Sequence, residues 1–84
     1  MQEKDIKLLF DSGCLRVCIV VRNPFGDGYN ALFARTGSVK PDISLETRKR
    51  LASDDAAIRV FKTVDSACSL VKRQIGLRSF VVEL

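Results

Sequence analysis

Apolar positions change their spacing twice in the last third of the chain. Across Ala57-Ile58-Arg59-Val60-Phe61-Lys62 they alternate, with Ile58 and Val60 on one side and Arg59 and Phe61 on the other, the two-residue period of a strand. From Val64 the period lengthens. Val64, Ala67, Cys68, Val71 and Ile75 recur at spacings of three and four, and Leu70 widens the stripe, which predicts a helix over 64–75 with one buried face. Thr63 precedes it as a residue whose hydroxyl can accept from first-turn amides, Asp65 suits the positive end of the helix dipole, and Lys72 and Arg73 suit the other end. Gly76 is placed to close it in the left-handed conformation. Alternation then returns in Ser79–Leu84. Because a helix has to reverse the chain in between, the strands on either side of it are expected to run parallel through a right-handed crossover.

Upstream, Ile6–Phe10 is a short apolar run followed by the turn residues Asp11-Ser12-Gly13. Cys14–Arg22 is the strongest strand signal in the chain, with Leu15, Val17, Ile19 and Val21 on one face and Arg16, Cys18, Val20 and Arg22 on the other. The two runs are expected to form a hairpin whose aliphatic face lies under the helix. Asn23–Gly28 is a loop broken by Pro24 and two glycines, and Tyr29–Arg35 is a further strand. In 37–56, Gly37, Pro41 and Asp42 interrupt regular structure, while Ser44–Ala52 suits either a short helix capped by Ser44 or an arm between strands. The expected class is α+β. It comprises a mixed, mostly antiparallel sheet of four to five strands with one main helix on one face, in the order β-β-β-(arm or short helix)-β-α-β.

Length and composition narrow the classes. Eighty-four residues, 46% apolar and 29% charged, suit one globular domain with a single core and no deep enclosed active site. Val17–Val21, the longest apolar run, is far too short to cross a bilayer, and the amino-terminal residues lack the apolar core of a signal peptide, so a cytoplasmic setting without membrane partners is expected. Three cysteines and no histidine argue against a disulfide framework and a structural zinc site; buried reduced thiols are the expectation, with no cofactor or metal. With no histidine and no paired carboxylates in a recognisable setting, neither an enzyme nor a small-molecule substrate is expected.

Charge points toward partners. Between Arg35 and Arg78 ten Lys and Arg stand against five Asp and Glu, whereas residues 1–34 carry four of each. Arg48-Lys49-Arg50, backed by Lys40, Arg59 and Lys62, is the candidate surface for nucleic-acid phosphates or an acidic protein; a merely solvated charged face is the competing reading. One helix covers one sheet face, so a homodimer or protein partner is expected on the other, through Arg16, Cys18, Val20, Arg22, Phe25 and Phe61, unless residues 37–56 fold across it. Phe25, at a loop tip, either folds back on the core or anchors a partner.

The stretch Arg59-Val60-Phe61-Lys62-Thr63-Val64-Asp65-Ser66-Ala67, with Ile75-Gly76-Leu77-Arg78-Ser79-Phe80-Val81-Val82 after it, resembles the ending of small ParC-like partition-associated proteins carried on proteobacterial plasmids. The resemblance covers about a third of the chain. It implies a mobile-element setting and a DNA-associated or regulatory role, and it assigns no functional residues. Two functions follow: a nucleic-acid-associated accessory protein of the partition or plasmid-maintenance type, or a regulator or inhibitor that docks on a larger complex through its open sheet face or edge.

Overall fold

The computed structural model describes residues 1–37, 40–50 and 56–83, without the side chains of 47–50 and 56–57. The class is α+β, built on a four-stranded mixed sheet. The described elements are helix α1 (Glu3–Asp11), strands β1 (Leu15–Arg22), β2 (Tyr29–Arg35), β3 (Ile43–Ser44), β4 (Glu46–Arg50) and β5 (Ala56–Ile58), helix α2 (Val64–Leu70) and strand β6 (Phe80–Glu83). The main sheet has the order β3-β2-β1-β6, and β4 and β5 pair with each other in a separate two-stranded sheet. β1 is antiparallel to β2 and parallel to β6.

The carboxy-terminal helix forms as its sequence predicts. Thr63 Oγ1 accepts from the Ser66 amide at 3.0 Å, satisfying one free donor of the first turn. α2 continues through the π-helical residues Val71–Ile75. Gly76, at φ 94°, ends it, donating its amide to the Val71 carbonyl at 2.9 Å.

Four local expectations are corrected. Ile6–Phe10 belongs to α1, not to a hairpin strand: Ile6 is buried and Leu9 and Phe10 pack beside it at helical spacing, with Glu3 and Asp5 in the acid-favouring first turn. Ser44–Ala52 does not begin as a helix, because Ser44 ends β3 and Glu46–Arg50 is strand β4. The strand before α2 is not the parallel partner of the strand after it. β5 pairs with β4, Phe61 makes only an antiparallel bridge to Tyr29, and β6 lies parallel to β1.

The fourth correction concerns which face lies under the helices. Leu15, Cys18 and Val20 of β1 join Ala31 and Phe33 of β2 against Ile6, Ala67, Leu70, Val71 and Ile75 in the main core. Val17 and Ile19 form a smaller cluster with Ala34 on the opposite face. The cause is a β-bulge. Leu15 pairs with Arg35 and Val17 with Ala34, so two steps along β1 match one along β2 and Arg16 is the extra residue. Past it, side-chain parity is reversed, and the Cys18–Val20 side turns inward. Each large apolar side chain so buried contributes roughly 1.5–3 kcal/mol.

The two sheet margins differ. At the β3 margin, the Met1 amino group donates to the Ser44 carbonyl at 2.9 Å and the Glu46 amide donates to the Met1 carbonyl at 3.0 Å. Met1 also forms an ion pair with Glu46 at 2.6 Å. At the other margin β6 is the last of the described strands, and Val81 and Val82 are each 45% exposed.

Candidate nucleic-acid interface

The basic tripeptide Arg48-Lys49-Arg50 lies on β4, within the hairpin that stands apart from the main sheet in hydrogen bonding. Its side chains lie outside the described residues. The base of the hairpin is fixed: Leu45 is fully buried, its amide donates to Ala31, and its carbonyl accepts from the Arg59 amide at 2.9 Å. Glu46 pairs with Ile58 and Arg50 with Ala56. Sequence and pairing together place three adjacent cationic residues on a two-stranded ribbon rooted in the core.

The other candidate cations are dispersed. Lys40 and Lys62 are exposed, Lys62 just before the Thr63 cap of α2. Arg59 is engaged within the fold. Its Nη1 lies 3.7 Å from Glu3 Oε2, its guanidinium carbon lies 5.1 Å from the Phe61 ring centroid, and its carbonyl accepts from Asn30 Nδ2 at 3.2 Å.

The expected partner face does not assemble. Cys18 and Val20 are fully buried and Phe61 is 6% exposed, all three in the main core, so burial by the chain's own helices removes them from any open surface. Arg16 and Arg22 are exposed, Arg16 at the bulge and Arg22 at the end of β1. Phe25 is 88% exposed and does not fold back. Its loop is shaped by Asn23, whose Oδ1 accepts from the Phe25 amide and whose Nδ2 donates to the Asp27 carbonyl, each at 3.2 Å. Arg22, Asn23, Asp27 and Tyr29 line a shallow open cleft of about 380 Å³ there.

Two thiols differ from expectation in degree. Cys14 is exposed, while Cys18 is buried and Cys68 half-buried; all three are free. Burial, and secondarily the neighbouring Cys68, pushes the Cys18 thiol up to about 12, and burial also raises Cys68. Thiols held in the neutral form are poor nucleophiles and poor metal ligands. Among the described residues no group of three or more His, Cys, Asp or Glu is placed to hold a metal ion, and no helix is long and apolar enough to cross a membrane.

Sequence reasoning missed the β6 margin as a surface. Its signal was present in Phe80-Val81-Val82-Glu83, an apolar strand with one charge, but the strand was expected beside 57–62 instead of at the sheet's end.

No protein-family model, curated protein or solved structure matches the chain.

Proposed function

We propose that the chain is a non-enzymatic binding module that holds nucleic acid through the β4–β5 hairpin. The observation that carries this reading is the location of Arg48-Lys49-Arg50 on a two-stranded ribbon anchored by buried Leu45 and separate from the main sheet. A two-stranded ribbon fits the major groove, and clustered Arg and Lys neutralise phosphates with release of counterions. The surplus of basic residues between 35 and 78 favours the same ligand. In this reading the protein is an accessory or regulatory factor of a mobile element, of the partition or plasmid-maintenance type implied by its resemblance.

Fluorescence anisotropy with a labelled DNA duplex and a labelled single strand, titrated across a salt series, tests it. The unaltered chain is expected to lose affinity steeply with salt. Replacing Arg48, Lys49 and Arg50 together by alanine is expected to reduce the slope by about two to three, near 0.9 per lost phosphate contact on duplex DNA. Absence of binding at low salt, or an unchanged slope in the triple variant, would overturn the reading.

A second reading, docking on a protein of a larger complex, is favoured by Phe25, a large aromatic side chain 88% exposed on a loop whose backbone is braced by Asn23.

A further inference from the structure

An edge strand presents a row of unpaired backbone donors and acceptors, and proteins ordinarily guard it with short length, lysine, proline or a bulge. The β3 margin is guarded in this way: the strand has two residues and its Ser44 carbonyl and the Glu46 amide are taken up by Met1. The β6 margin differs. Phe80-Val81-Val82-Glu83 contains no proline or lysine, pairs with β1 in unbroken register, and leaves both valines 45% exposed.

Which polar groups face outward is fixed by the pairing with β1. The Cys18 amide donates to the Ser79 carbonyl at 2.9 Å, so the odd-numbered residues of this strand direct their backbone groups toward β1. The amides and carbonyls of Phe80 and Val82 therefore point away from the sheet. Two outward-pointing residues separated by one are what an antiparallel neighbour needs for two hydrogen-bonded pairs on either side of a non-hydrogen-bonded pair.

We propose that β6 pairs antiparallel with β6 of a second copy of the chain, joining the two main sheets into one continuous sheet across a two-fold axis at Val81. A two-fold perpendicular to the sheet preserves its faces, so Val81 meets Val81 of the other copy, Phe80 meets Val82, and Ser79 meets Glu83. Aromatic against β-branched is a favourable cross-strand pair. Charge selects this occupant and direction. The strand is preceded by Arg78 and closes on Glu83, so an antiparallel copy brings basic and acidic ends together at both margins, whereas a parallel copy stacks like on like. The contact also extends the apolar side of the sheet, because Val81 lies in register with Ile19 of the smaller cluster. A pairing of this length buries less than the roughly 1,200–2,000 Å² of a tight complex, so the dimer is expected to exchange with monomer at micromolar concentrations.

Sedimentation equilibrium on the full chain up to about 1 mM, the upper end of weak association, is the first test, with a mass approaching twice 9.3 kDa expected. Val82→Pro removes an outward amide without touching the ladder to β1, and Val81→Lys sets two ammonium groups face to face on the axis. Both are expected to be monomeric while keeping the far-ultraviolet circular dichroism of the unaltered chain. In a Cys14→Ser background, Val81→Cys is expected to cross-link into a dimer under mild oxidation, and Ile58→Cys, exposed elsewhere, to remain monomeric. A monomer at every concentration, or a dimer indifferent to both β6 substitutions and uncross-linked at 81, would overturn the proposal. DNA binding is read in a separate titration, so the failure of either proposal leaves the other standing.

Discussion

Arg59 and Glu3, far apart in sequence, meet where the entry to α1 crosses the segment after β5: Nη1 stands 3.7 Å from Oε2, and the same guanidinium covers the Phe61 ring. A residue that charge counting assigns to an external ligand is thus held by the fold.

Replacing Arg59 by alanine is therefore expected to lower stability by about 1–2 kcal/mol, the ion pair being discounted because Arg59 keeps a third of its side chain in solvent. Arg59→Lys is expected to recover part of the loss, since an ammonium keeps the charge but not the planar stacking. Urea unfolding midpoints measure both. The salt slope of DNA binding is expected to stay unchanged in either variant, which separates this residue from the hairpin cations.

Gly28 is fixed by two neighbours. A Cβ there would stand 2.5 Å from Val60 Cγ1 and 2.7 Å from the Phe61 carbonyl oxygen, at φ 99°. Gly28→Ala is expected to destabilise by about 2–4 kcal/mol, combining left-handed strain with overpacking. Adding Val60→Ala relieves only the side-chain clash, so thermal denaturation is expected to show partial recovery. Complete recovery would mean that the Phe61 backbone yields freely.

The buried Cys18 thiol sets an alkaline limit. Its folded value of about 12 lies above the ordinary 9.0, so the unfolded chain releases this proton first as pH rises. Stability from this group is full below about 9 and declines as pH approaches 12. The complete loss is on the order of 4 kcal/mol. Urea unfolding between pH 8 and pH 11 is expected to fall more steeply for the unaltered chain than for Cys18→Ala, which carries no titrating group there. Parallel curves would assign the alkaline loss to other groups.

Much of the carboxy-terminal unit was legible because its signals are local. Thr63 supplies the cap, the three-and-four spacing supplies the helix, and Gly76 supplies the stop, each acting within one turn. The partner of β6 was not legible, since strand order is settled by long-range packing and nothing in 57–62 says that it stops short of the main sheet. α1 was misread for a different reason: over five residues, Ile6–Phe10 satisfies a buried strand as well as a helix, and only the acidic residues before it tip the balance. At the candidate site, the basic tripeptide was plain from composition, but its placement on a strand depended on β5 returning beside it. The engagement of Arg59 depended on a helix not expected at residue 3.

The bulge at Arg16 makes the face that β1 buries depend on register as well as composition. Flatten the bulge with Arg16 kept in the ladder, and strict alternation runs from Leu15 onward, turning Cys18 and Val20 toward water and carrying Val17 and Ile19 beneath the helices. Not one residue of the strand would have changed, yet the molecule would be asked to wear its lining on the outside.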